Sequence, residues 1–440
     1  MTVGLLAHGL GGRVDLPVPR GLFVFGAVTA LIVSFVALAV LWPEPRLEKR
    51  RPRPIRAAWL RSVMSSAVLG WVVRAAGLVV FGVTTLAAFR PVGPTDTIAP
   101  VMVFIWFWVG LAILQAVFGN VWAALSPWDT LGRLLQLDPP AYRPPRTYPK
   151  ALGRWPAAVL LFGFVWFELA SPLPEEPRAL GIAIVAYTAI TVAGMAAFGR
   201  AAWLENGEAF GVYFGLLGRI SPLVRDDEGL LAIRPVLSGL PHVEPRPGLL
   251  ALIVVALGST TFDGLSRTTW WLDATASLTQ GATVAAATAG LLGTILAVAA
   301  VYSGAMVVAA GVVEASWHPL AVRFAHSLVP IVLAYVVAHY FSFLLIEGQI
   351  GLNRISDPLG LGWNLFGTAG WRVNLTIVSA TTTWYVQVAA IVLGHIGGVV
   401  LAHDRAIALF DRSRAMRTQY ALLAAMVLFT ATGLLILSGG

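Results

Sequence analysis

The sequence contains no cysteine, which removes disulfides, thiolate metal sites and cysteine nucleophiles together. Charge is scarce as well. Asp, Glu, Lys and Arg make up 12% of the 440 residues, about half the roughly 25% of a soluble domain. Lysine is almost missing: Lys49 and Lys150 stand beside 28 arginines, a bias that points to a GC-rich bacterial genome. No phosphate loop of the form Gly-x-x-x-x-Gly-Lys-Ser/Thr is present. Nor is there a His-Glu-x-x-His pair, a Gly-x-Ser-x-Gly elbow or a heptad zipper, so the common soluble-enzyme classes lose their usual signatures. The excess of base over acid, +8, is too small and too scattered for a nucleic-acid surface.

What is present is apolar. Hydrophobic residues make up 58% of the chain, and the mean hydropathy is +0.78. Sixteen tryptophans fit a chain with long membrane–water interfaces, where the indole ring is buried and its N–H stays wet. Apolar runs long enough to cross about 30 Å of hydrocarbon fall at 22–42, 69–89, 98–118, 155–173, 179–199, 249–265, 281–306, 326–347, 376–401 and 419–437. The expectation is an all-α, polytopic transmembrane bundle of about ten spans in a bacterial inner (plasma) membrane. Arg74 lies inside the second run, and an extension of the seventh to residue 313 would make that span tilted or broken.

Orientation follows from Lys and Arg in the connections. Segment 43–61 holds seven of them, and alternate connections continue the pattern to a total of 22 on one side. The other side has seven: Arg13, Arg20, Arg90, Arg178, Arg267, Arg354 and Arg372. The rule makes the basic side cytoplasmic and puts both termini outside. Met1–Leu10 is too short for a signal peptide and lacks a basic n-region; the N-terminus is expected to be translocated with the first span.

The longest basic-side connection divides the chain into a first five-helix half (1–199), a connection (200–248) and a second five-helix half (249–440). Five spans per half would invert the second relative to the first, and loop lengths alternate long and short in both. This weak symmetry predicts a 5+5 inverted repeat, although no residues match between the halves. The loops are short and often Pro-rich, so any site must sit between helices or at their mouths.

Polar residues inside spans are costly, and they usually mark function or helix–helix bonding. On the eighth run His326 and His339 are 13 residues apart, about 20 Å at 1.5 Å per residue. Tyr335, His339 and Ser342 share a helix face by spacing, and Gln387 on the antiparallel ninth run comes level with His339. One candidate solute or ion site is therefore His339, Tyr335 and Gln387, with Glu347 at the helix end and Asp357 and Asp263 from the outer connections. A second is His326 with His395 towards the basic end. Imidazole is the commonest nitrogen ligand for Zn or Cu, so a divalent metal is a candidate cofactor there. Each histidine has an ordinary alternative use, a hydrogen bond to a neighbouring helix. Trp122–Asp129 and Glu205–Phe210 read as interfacial turns, Glu168 and Arg74 as snorkelling or paired, and His8 as a lone ligand candidate.

Several strings resemble a family of bacterial, actinobacterial-type multi-pass membrane proteins commonly labelled fenitrothion hydrolase. They are Ala7-His-Gly, Ala124-Leu-Ser-Pro-Trp-Asp-Thr130, Leu257-Gly-Ser-Thr-Thr-Phe-Asp-Gly264, His326-Ser-Leu-Val-Pro-Ile, Ala338-His-Tyr-Phe-Ser342, and Ser356-Asp-Pro-Leu-Gly through Leu365-Phe-Gly-Thr. They are spread over nearly the whole chain. The resemblance implies hydrolysis of an organophosphorothioate to a nitrophenol, and carries no assigned catalytic residue with it. Such hydrolysis ordinarily uses a metal-activated hydroxide, for which His339 with Glu347, Asp357 or Asp263 would be the available ligands. Three functions stay open from the sequence: transport or membrane handling of a small solute or metal ion, a membrane-embedded organophosphate hydrolase, and a structural subunit of a membrane complex. The partners expected are the lipid bilayer and either a second copy or a membrane-complex subunit, with no nucleic acid.

Overall fold

A computed structural model describes residues 20–439 apart from 56, 58–61, 64–65, 94–95, 175 and 226–228. His8, Arg13, Arg56 and Arg61 lie outside the described residues. The chain is mostly helical because lipid offers no hydrogen-bond partner, so every backbone N–H in an apolar run must be satisfied within its own segment.

The main helices are α1 (Arg20–Leu41), α2 (Ala67–Ala88), α3 (Val101–Phe118), α4 (Trp155–Leu169), α5 (Pro177–Phe198), α6 (Ala209–Gly218), α7 (Leu249–Leu265), α8 (Gln280–Val313), α9 (Val329–Ile346), α10 (Ala380–Leu409) and α11 (Arg412–Gly439). Each of the ten apolar runs coincides with one of them. Among the described residues eight helices are long and apolar enough to cross a membrane. The other two coincident helices are α4, with 15 residues, and α7, which turns by 78° into a short helix, Thr269–Thr275. The seventh run is unbroken: α8 continues to Val313 over 34 residues, about 51 Å at 1.5 Å per residue.

Burial follows the solvent. Phe25, Val68 and Leu393 are more than 60% exposed on their helices, a placement that water would penalise and a lipid environment does not. α9 and α10 pack closely against each other. A Cβ on Gly394 would lie 2.2 Å from Ala334 Cβ and 2.8 Å from Pro330 O, so glycine lets these two backbones approach. Small residues serve this purpose wherever van der Waals contact drives helix association.

Long-range polar contacts sort the connections into two ends. At the basic end, Arg53–Pro54 pairs with Leu231–Ile233, which pairs with Leu223–Arg225, giving a three-stranded antiparallel sheet beside the helices. Asp129 meets Arg74, Arg133 and Arg200, and Arg405 meets Glu48. Asp404 accepts four N–H groups from the segment after α1: Trp42 Nε1 at 2.9 Å, Arg46 N at 2.6 Å, Leu47 N at 3.1 Å and Glu48 N at 3.0 Å. Its neighbour His403 bridges Gln419 Oε1 and Trp42 O at 2.9 and 3.0 Å, tying α1, α10 and α11. At the opposite end, Arg354 pairs with Asp96, and Arg90 donates to Leu359 O.

The connection 200–248 contains more than surface loop. Within it α6 is buried along most of its length, packed on α3, α4 and α9. Its N-cap Glu208 is 1% exposed and accepts from Phe210 N and Gly211 N at 2.9 and 2.6 Å. Tyr187 OH from α5 donates to the same carboxylate at 2.5 Å. The stretch read as an interfacial turn therefore carries a buried helix start.

Candidate functional site

Arg267, just past α7, and His339 and Tyr340 of α9 meet at Asp263. This residue is in the last turn of α7, 2% exposed. Arg267, one helical turn further along, donates to Oδ1 at 2.7 Å through Nη2 and at 3.2 Å through Nε. Across the helix interface, His339 Nε2 lies 2.7 Å from Oδ2, and Tyr340 OH donates to the same oxygen, also at 2.7 Å. A carboxylate only accepts, so Nε2 carries the proton in this contact. The His339 and Tyr340 rings contact edge to face, with centroids 4.7 Å apart.

Glu168 on α4 faces the same group. It is close enough to interact electrostatically with both Asp263 and Arg267, and its Oε2 is buried without a hydrogen-bond partner among the described residues. Two helices and the turn after α7 thus bring a carboxylate, a guanidinium, an imidazole and a phenol into one cluster, with the Glu168 carboxylate of α4 within electrostatic reach. In low dielectric such groups interact strongly, and leaving any one unpaired is costly. The arrangement ties α7 to α9 through one carboxylate that accepts from three side chains.

The remaining sequence candidates do not join this cluster. Tyr335 shares a helix face with His339 by spacing, but its hydroxyl donates to Phe429 O on α11 at 2.9 Å. Its ring lies 6.2 Å from that of His395. Gln387 is 3% exposed, with Nε2 unpartnered among the described residues. Glu347 is half-buried where α9 ends. Asp357 is used by its own loop, accepting from Leu361 N and Gly362 N at 2.7 Å each.

His326 and His395 are both deeply buried, and each spends Nδ1 on a main-chain carbonyl about one turn back: Arg323 O at 3.0 Å and Ile391 O at 2.8 Å. Their Nε2 atoms have no partner among the described residues. No group of three His, Asp or Glu with metal-binding placement occurs among those residues, so neither of the two candidate sites is assembled into a ligand shell there. Arg74, read as snorkelling or paired, lies 3.8 Å from Asp129.

Sequence reasoning named Asp263 and His339 but missed three members. Tyr340 follows His339 directly, and neighbours on a helix point about 100° apart, so face-sharing logic discards it. Arg267 was visible as the i+4 partner of Asp263, a spacing that favours an ion pair. Glu168 carried the weakest signal, a lone acid near the end of an apolar run. No protein-family model, curated protein or solved structure matches the chain.

Proposed function

We propose that this chain is a ten-span protein of a bacterial inner membrane, with its basic end cytoplasmic and both termini outside. In this reading it moves or handles a small solute through the polar site of its second half, with Asp263–His339 as the proton-exchanging pair. The observation that carries the reading is the 2.7 Å contact between these two side chains inside the bundle. Ionisable groups at membrane depth mark solute pathways and proton relays. Arg267 offsets the charge of Asp263, and Tyr340 and Glu168 give a proton further places to move. The small-solute form is preferred over metal transport because no ligand shell forms among the described residues.

A second reading rests on the same pair. A carboxylate that orients an imidazole is also the arrangement of a general base. Such a base would suit the organophosphorus ester hydrolysis implied by the family resemblance.

One preparation separates the two. Purified protein is reconstituted into liposomes containing a pH-sensitive dye and challenged with gradients of small organic anions, organic cations and sugars. The transport reading expects a proton signal with at least one solute that disappears in His339→Gln. Release of nitrophenol from fenitrothion, lost in the same variant and without any proton-coupled flux, would replace it with the hydrolase. Neither activity from correctly folded protein would sink both.

A further inference from the structure

At the basic end of the bundle, α4 and α7 begin side by side. Arg154 immediately precedes α4, and its backbone N–H donates to Pro247 O at 2.6 Å. Gly248, at φ +79°, caps α7. A Cβ there would sit 2.3 Å from Trp155 N, so the two helix starts touch backbone to backbone. Neither start is capped by a side chain. The partial positive charges of two helix N-termini therefore add in one place.

The Arg154 side chain lies beside them. Arg154 is 8% exposed, and its Nε and Nη1 have no hydrogen-bond partner among the described residues. Arg246 and Arg219 are near enough to repel it, and Glu205 and Glu244 near enough to attract it. Both acids are spent elsewhere: Arg246 Nη2 holds Glu205 at 2.9 Å and Glu244 at 2.6 Å, with the two carboxylate side chains 60% and 64% exposed. Arg219 gives Nη1 to Gly239 O at 3.2 Å. Three guanidiniums thus face two solvated carboxylates, and the most buried of the three has unmet donors. Burial, reinforced by Arg246 and Arg219, pulls the Arg154 guanidinium down to about 10. A buried cation of this kind is strongly unfavourable unless an anion accompanies it.

We propose that Arg154 and the adjoining N-termini of α4 and α7 form a binding site for a phosphate group. The group is carried either by the headgroup of an anionic phospholipid or by a soluble phosphate. Guanidinium and helix N-termini are the two devices that proteins use most for phosphate. The position suits a lipid, because Trp155, 50% exposed, begins the apolar helix next to the site. Basic residues between membrane helices at the cytoplasmic side bind lipid headgroups.

The test uses the full chain in neutral detergent. Thermal unfolding is followed with added phosphatidylglycerol, phosphatidylcholine, inorganic phosphate or chloride, and bound lipid is counted by native mass spectrometry. The proposal expects phosphatidylglycerol or inorganic phosphate to raise Tm by several degrees over its control, and Arg154→Gln to abolish that rise. A rise with the lipid alone assigns the headgroup; a rise with inorganic phosphate alone assigns a soluble ligand. If Arg154→Gln does not fold, Arg154→Lys reads the same difference as a reduced rise, because an ammonium lacks the guanidinium's paired donors. Equal Tm in all four additions, or an unchanged rise in the variant, overturns the proposal.

Discussion

His339 Nε2 and Asp263 Oδ2 lie 2.7 Å apart, with neither side chain more than 5% exposed. The contact joins α9 to α7, and Arg267 and Tyr340 complete the carboxylate's shell. If these four act as one network, single substitutions must be non-additive.

Asp263→Asn removes the charge that Arg267 and His339 share. Removing one partner of a buried pair typically costs about 3–5 kcal/mol, so a large fall in Tm is expected. Adding Arg267→Gln should return part of the loss, with a coupling energy of about 0.5–3 kcal/mol. Thermal unfolding of the wild type, both single variants and the double variant measures it. Simple additivity would show that the residues are neighbours without being a network.

Gly394→Ala tests the α9–α10 contact. In a free helix, alanine is favoured over glycine by about 1 kcal/mol. Here the new methyl meets Ala334 Cβ at 2.2 Å, and overpacking of this kind costs about 1–3 kcal/mol. The control is Gly311→Ala on α8, where a Cβ has open space. Opposite signs in Tm are expected; a stabilised Gly394→Ala would contradict the packing.

Asp404→Ala tests the cradle after α1. Four N–H groups lose their acceptor, and each orphaned donor costs about 1–3 kcal/mol unless water reaches it. Faster trypsin cleavage within Arg46–Arg53 is expected, with α10 still folded. An unchanged cleavage rate would mean that this segment is held by other contacts.

Glu48 gives a pH signature. Burial raises its carboxyl above the ordinary 4.5; Arg405 opposes that shift and Asp404 adds to it. Between 4.5 and the raised value the folded chain binds more protons than the unfolded one, so stability must fall as pH climbs through that window. Glu48→Gln should flatten this part of the Tm–pH curve. Parallel curves for variant and wild type would remove Glu48 as the cause.

The helices were legible because apolar run length is a direct statement about the solvent, and all ten runs became helices. The buried α6 was not legible. Ten apolar residues are too few to span a bilayer, and Asn206-Gly207 in front of them reads as a turn. His339 was legible as a polar residue at membrane depth and Asp263 as one of an outer connection, but their contact was not, since it depends on how α7 and α9 are rotated against each other. That same rotation turns Tyr335 towards Phe429 and brings Tyr340 to Asp263. The Arg154 site was hidden for a different reason: the sequence shows it as one basic residue among the 22 that set orientation, and only burial distinguishes it from the others.

The most direct test of the account compares His339→Gln with Tyr335→Phe in dye-loaded proteoliposomes. The first alters the buried pair; the second removes a bond between helices on the same α9. The account predicts a solute-dependent proton signal in the wild type, its retention in Tyr335→Phe and its loss in His339→Gln. A signal of wild-type size from folded His339→Gln would contradict it.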